Sequence, residues 1–410
     1  MPTITGYTAA RMAIIEAESI IDGDVVGDDL ILTRRDGTPI NAGNVRGLQG
    51  VPGPTGPTTW QPRRKLILPA VKLMTAGPRL KLANPGTLPA GFGQDAQWSP
   101  DGHFLAVAHS TTPYVTVYHF DDTVLTKLTN PATLPIGNAL SVSWSPDGRF
   151  LVVGHSSSPY ITIYTFDGQT LTKVANPGVL PNSASRAYWS PDGNFLAVAM
   201  SVTPFVQVYA VDAARLIFTK LTNPVTLPTG IASYVSWSPD GKYLAVSHTT
   251  TPFITVYSFD GIAFTKIANP VSLPVGDVGE AVWSPDGRFL AGVTSATPFM
   301  FVYSFNEITE VLTKLTEPAP LSSANGVLWS PDGRFLTIGH TAGIATYRFN
   351  GTTFIKLADP ITLPPASVTG GAWRSDGKFV AISHSTTPYV LVYDTLCSYF
   401  TDDTYAPVWE

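Results

Sequence analysis

The sequence predicts an all-β fold: a seven-bladed β-propeller, preceded by a small α+β adaptor and a short collagen-like triple-helical segment. Three observations predict it. Trp-Ser-Pro-Asp-Gly recurs at Trp98–Gly102, Trp144–Gly148, Trp189–Gly193, Trp237–Gly241, Trp283–Gly287 and Trp329–Gly333, with an altered seventh copy at Trp373–Gly377. The copies stand 44 to 48 residues apart, a period that signals a repeat architecture. Upstream, Gly47, Gly50, Gly53 and Gly56 head four unbroken Gly-X-Y triplets.

The composition agrees. Only 13% of the 410 residues are charged, while Gly and Pro number 35 and 36, which suits short strands and many turns. The net charge of −5 gives no footprint for nucleic acid. The lone cysteine, Cys397, excludes an internal disulfide framework. The first residues lack the basic and apolar regions of a signal peptide, and no apolar run is long enough to span a membrane.

In chain order, residues 1–46 form the adaptor. Thr8 can cap a short helix running to about Ile21, with Gly23 placed to stop it. Leu30–Thr33 reads as a strand, Asp36-Gly37 as a turn and Thr38–Ile40 as the return strand. Residues 47–58 are the collagen-like segment. Only Gly fits the axis of three wound polyproline-type chains, so the register implies a homotrimer and a rod of about 35 Å. A Pro/Gly linker is the plainer alternative. Residues 59–78 are a connector, in which Leu66–Leu68 and Val71–Met74 read as strands.

Residues 79–396 are the repeat domain and 397–410 a C-terminal tail. Each unit opens with an outer strand and a Pro-containing corner, as in Lys127-Leu128-Thr129-Asn130-Pro131. A strand ending at the Trp follows, then the Ser-Pro-Asp-Gly turn. Next come a strand such as Phe195–Ala199, a Ser/Thr-Pro turn and an alternating strand such as Tyr160–Tyr164. Four short strands per unit and seven units indicate a propeller. A ring must close. The phase predicts that Arg79–Leu82 supplies the missing outer strand of the last blade, although Tyr399–Thr401 also stands where such a strand would fall.

Two resemblances follow. Trp-Ser-Pro-Asp-Gly followed by Lys/Arg-Phe-Leu-Ala-Val resembles the WD40-like repeat of TolB-type propellers over about residues 79–395, without the Gly-His and Trp-Asp marks of true WD40 repeats. Tyr7–Met12, Asp22–Asp28, Leu30–Thr33, Asp36–Thr38, Ile40–Gly43 and the Gly-X-Y triplets resemble the start of minor tail proteins of long-tailed phages of actinobacterial hosts. That likeness implies a virion protein of the tail tip or fibre. Residues 1–58 would join other tail proteins, and the C-terminal domain would face a glycan or protein of the host cell surface.

No nucleophile elbow, phosphate loop or metal-ligand spacing stands out, so no catalytic, cofactor or metal residue is expected, and no enzyme. His109, His155, His248, His340 and His384 recur at one position per blade, which suits a repeated structural hydrogen bond. The aromatics after the Ser/Thr-Pro turns (Tyr114, Tyr160, Phe205, Phe253, Phe299 and Tyr389) suit blade packing. The repeats diverge most just before each Trp. Gln94, Asp95, Asn138, Arg186, Tyr234, Asp277 and Glu280 there form the candidate ligand surface, with neutral loop drift as the bland alternative. A propeller enzyme cleaving a glycan or lactone, and a bacterial surface adhesin, are the competing functions.

Overall fold

The computed structural model describes residues 20–26, 29–34, 39–44 and 80–395, apart from 184, 185, 215, 319 and 320. The collagen-like segment, the connector and the C-terminal tail lie outside the described residues. The chain divides into two compact units, residues 1–75 and 76–410.

In the first unit, Ile20–Val26, Asp29–Arg34 and Pro39–Asn44 form a three-stranded antiparallel meander. The strand expected at Leu30–Thr33 and its return are present. The expected helix end is corrected: Ile20 and Ile21 lie in the first strand, and Gly23 pairs with Leu32 instead of stopping a helix. A run of β-branched residues (Ile20, Ile21, Val25, Val26) favours pairing over helix here. The helix proposed before Ile20 lies outside the described residues, and no described residue is helical.

The second unit is a seven-bladed propeller of four-stranded antiparallel sheets. The inner strands are Gly93–Trp98, Ala139–Trp144, Arg186–Trp189, Ala232–Trp237, Val278–Trp283, Gly326–Trp329 and Val368–Trp373. Closure is N-terminal. Leu80–Lys81 pairs with Val390–Asp394 as the outer strand of blade seven, and the Leu82 amide donates to the Val392 carbonyl at 2.9 Å.

Seven apolar clusters hold the ring, each shared by two adjacent blades; the seam is no exception, since Ala96, Leu105 and Tyr118 share a core with Phe379, Ala381 and Val392. An edge-to-face aromatic contact repeats across the interfaces. Phe104 meets Phe166 at 4.8 Å between blades one and two, and Phe379 meets Phe120 at 5.0 Å across the seam.

The pentapeptide works as its chemistry dictates. Gly102 adopts φ 73° and its amide donates to Ser99 O, while the Ser99 hydroxyl accepts from the Phe104 amide and Asp101 accepts from the His103 amide. The turn is also an inter-blade fitting. Each Pro packs under the turn Gly of the next blade, so a Cβ on Gly193 would come within 3.3 Å of Pro146. In the seventh copy Arg374 replaces Ser and lies beneath Gly102. Its guanidinium pairs with Asp122 of blade one and Asp376 of its own turn, and stacks 4.4 Å from the Phe379 ring centroid.

The other repeated residues also bind the frame. Tyr118, Tyr164, Tyr257 and Tyr303 each donate to a carbonyl in the loop entering their own blade. His109, His155 and His248 bond Thr116, Thr162 and Thr255 at 2.9–3.0 Å. The structural hydrogen bond therefore holds in three of the five copies. Leu391 takes the place of that Thr seven residues after His384 and offers no polar atom, and His340 accepts from the Ala342 amide through Nδ1. The aromatics after the Ser/Thr-Pro turns have φ of 67–70° and follow cis peptide bonds. Tyr114, Tyr160, Phe205 and Phe253 pack on the blade cores, as expected.

Strand order fixes two faces. The Pro-Asp-Gly turns and the turns into the outer strands lie on one, here the turn face. The Asn-Pro corners and Ser/Thr-Pro turns lie on the other, the corner face. There Gly91 abuts Thr111 and Gly230 abuts Thr250. The paired ends Leu80 and Asp394 both lie at the turn face.

Candidate functional site

Counting three residues back from each Trp gives Asp95, Ser141, Arg186, Tyr234, Glu280, Gly326 and Gly370. These occupy one level of the seven inner strands. In blades one, two, four, five and seven the ladder slips immediately before this position. Such a bulge re-aims the next side chain, here toward the channel. The structure gathers four of the predicted residues, Asp95, Arg186, Tyr234 and Glu280, into one belt across the channel, with Arg186 paired to Ala199 in a regular ladder.

Asp95 is 2% exposed and fully bonded. Its Oδ1 accepts from the Ala96 amide at 2.8 Å and Gln97 Nε2 at 3.2 Å. Its Oδ2 accepts from the Val142 amide and the Tyr188 hydroxyl, each at 3.2 Å. The Tyr188 and Tyr234 rings lie 4.7 Å apart, and the Arg186 guanidinium sits 5.5 Å from the Tyr234 centroid. Glu280 bonds Tyr234 and the Val327 amide.

The vacant sector of the belt is made by glycines. A Cβ on Gly326 would stand 3.4 Å from Glu280 Oε2, and one on Gly370 3.2 Å from Asp95 Oδ1. Both carboxylates thus lean toward neighbouring strands whose residue at this level, Gly326 or Gly370, carries no side chain.

Burial raises both acids, and the Arg186 charge opposes it. Asp95 stays above the ordinary carboxylate range and Glu280 is pushed up to about 7. Burial disfavours the Arg186 cation, but Tyr188, Asp95 and Glu280 outweigh it and raise its pKa. Burial pushes both tyrosines well above 10.

Gln94, Asn138 and Asp277 do not join the belt. Gln94 is the bulge residue beside Asp95. Asn138 and Asp277 are exposed, and their carbonyls accept from Ser156 and Ser295 at the corner-face mouth. Tyr188 and Gln97 are belt residues that divergence before the Trp did not single out. Period-two alternation carries the signal, since they lie two positions beyond Arg186 and Asp95 on the same strand face. Among the described residues, no group of three or more His, Cys, Asp or Glu could hold a metal ion.

A family model described as a seven-bladed β-propeller lactonase matches residues 137–329. No curated protein matches the chain. Solved structures of similar shape include Kuenenia stuttgartiensis hydrazine synthase, at TM-score 0.59 and 18% identity over 76% of this chain and 97% of that one. The β-propeller domain of Myceliophteria thermophila Cps50 (Swd1) gives TM-score 0.57 and 13% identity over 77% and 99%. A chain of a mitotic checkpoint complex gives 0.60 and 19% over 83% and 99%. At these identities the likeness shows the fold, a seven-bladed β-propeller.

Proposed function

We propose that this chain is a virion tail protein whose propeller contacts the host cell surface through its corner face, without turning over what it binds. The observation that carries this is where the chain enters the ring. Leu80 pairs with Asp394 at the turn face, so the first and last strands of the ring both join the rest of the chain on that side. The corner face holds the mouth residues Gln94, Asn138 and Asp277 and opens onto the belt. Residues 1–58 supply the mooring, and the Gly47, Gly50, Gly53 and Gly56 register supports a homotrimer. Three weak contacts on one rod raise avidity by about 10²–10⁴ where the receptors can be spanned.

The belt's polar groups are buried and satisfied by one another, which fits a rigid support for contact at the mouth. A second reading, a lactone- or glycan-cleaving enzyme, draws on one observation: Glu280, at about 7, stands beside Arg186 within the stretch matched by the lactonase model. Incubating the full chain with purified actinobacterial cell wall separates the two. Adsorption without release of sugar or new acid fits the contact protein. Release that disappears in Glu280→Gln overturns it in favour of the enzyme.

A further inference from the structure

One lysine per blade ends the outer strand at the corner face: Lys81, Lys127, Lys173, Lys220, Lys266, Lys314 and Lys356. In the Lys-x-x-Asn copies of blades one to four its ammonium group donates to the following carbonyl and to Asn, while Lys81 donates to Leu82 O. Lys127 reaches Leu128 O and Asn130, Lys173 reaches Val174 O and Asn176, Lys220 reaches Leu221 O and Asn223, and Lys266 reaches Ile267 O and Asn269. Two of three protons are used, and a neutral amide leaves the charge uncancelled. Only the last two copies pair the lysine with a carboxylate. Lys314 pairs with Glu317 at 2.6 Å and Lys356 with Asp359 at 3.0 Å. Consecutive blades seven, one, two, three and four therefore form a cationic arc, and blades five and six close the circle with neutral pairs.

The turn face has the opposite sign. It carries an Asp in every Pro-Asp-Gly turn, together with Asp121, Asp167, Asp260, Glu307 and Glu310, and these outnumber the cations Arg149, Lys242, Arg288 and Arg334 that pair with some of them there. An anion approaching the ring is repelled from the turn face and drawn to the corner face.

We propose that the lysine arc binds a linear phosphodiester polymer of the host envelope, of the glycerol-phosphate type, laid across successive blades. One uncancelled charge per blade suits a flexible polyanion long enough to reach from blade to blade. The Lys-x-x-Asn-Pro corners carry no aromatic side chain, so they offer no stacking platform of the kind single-stranded nucleic acid uses. This assignment rests on the surface-contact reading and names the partner that contact takes.

The test uses the full chain and a synthetic glycerol-phosphate oligomer, with neutral dextran and an oligonucleotide of equal charge as comparisons. The oligomer should bind, and weaken at least about tenfold between about 50 and about 200 mM salt. Replacing Asn130, Asn176, Asn223 and Asn269 together by Asp copies the native Lys356–Asp359 pair and keeps every lysine. It should leave the melting temperature in place and weaken binding at least about tenfold. Glu317→Asn with Asp359→Asn should strengthen it. Unchanged affinity in both variants overturns the arc, and preference for the oligonucleotide overturns the polymer. Adsorption to cell wall without oligomer binding sinks this assignment and leaves the contact reading standing. Oligomer binding without adsorption does the reverse.

Discussion

The Tyr188 hydroxyl, carried by blade three, donates to the Asp95 carboxylate of blade one at 3.2 Å, passing over blade two. Blade two permits this because its residue at that level is Ser141, whose hydroxyl turns aside to accept from the Ala187 amide at 3.0 Å. The sevenfold pattern is thus broken by a large residue beside a small one. Tyr188→Phe should cost about 1.5–3 kcal/mol, since it removes a donor from a buried carboxylate. Chemical denaturation measures this, and a loss under about 0.5 kcal/mol would show that the bond stabilises little.

Glu280 makes the belt sensitive to pH. Its pKa is about 7 in the folded protein against 4.5 ordinarily, so between these values the folded state holds a proton that the unfolded state has lost. Stability from this group is complete below 4.5 and declines as pH rises to 7. Glu280→Gln removes the decline. The wild type should lose about 2–3 kcal/mol relative to the variant across that window. Parallel stability curves for the two proteins would contradict the belt environment described.

The histidines act in the opposite sense. Burial lowers His109, His155, His248 and His384 to about 4 from an ordinary 6.5. The unfolded chain takes up protons first, so their contribution is retained above 6.5 and lost as pH falls toward 4. Replacing His155 with Gln should flatten the acid limb of the melting curve between these values.

At the seam, Arg374→Ala should lower stability by about 1–3 kcal/mol, because it removes a largely buried cation from two carboxylates and the Phe379 ring. Deleting residues 79–85 should lower the melting temperature further, because it strips blade seven of its outer strand. Deleting residues 397–410 should change it little.

Much of this was legible in the sequence because the repeat makes each blade a check on the others. The Trp spacing gave the blade count, and the phase pointed to N-terminal closure. Tyr399–Thr401 kept a second seam open, since short strands look alike before pairing is known. Divergence before the Trp led to Asp95, Arg186, Tyr234 and Glu280, but not to their convergence, which for Asp95, Tyr234 and Glu280 follows a bulge with no residue signature. Tyr188 escaped for a related reason: it follows Ala187, where the strand already reads as ordinary repeat. The seventh pentapeptide was legible only as an altered copy, whereas Arg374 is a seam residue whose partner Asp122 lies 252 positions away. Ile20 and Ile21 were assigned to a helix because caps and stops were weighed before β-branching.

The trimer is a matter of mass. Light scattering on the full chain should return three times 43.8 kDa, and a mass that stays at one chain across concentration would contradict the Gly register.

The central claim, contact through the corner face, is tested most directly by adsorption of the full chain to actinobacterial cell wall with one face altered at a time. Gln94→Ala, Asn138→Ala and Asp277→Ala together alter the mouth on the corner face. Arg149→Ala with Arg288→Ala alters exposed pairs on the turn face. The account predicts that the mouth variant loses most adsorption at an unchanged melting temperature while the turn-face variant adsorbs like the wild type. Normal adsorption by the mouth variant with loss in the turn-face variant would contradict it.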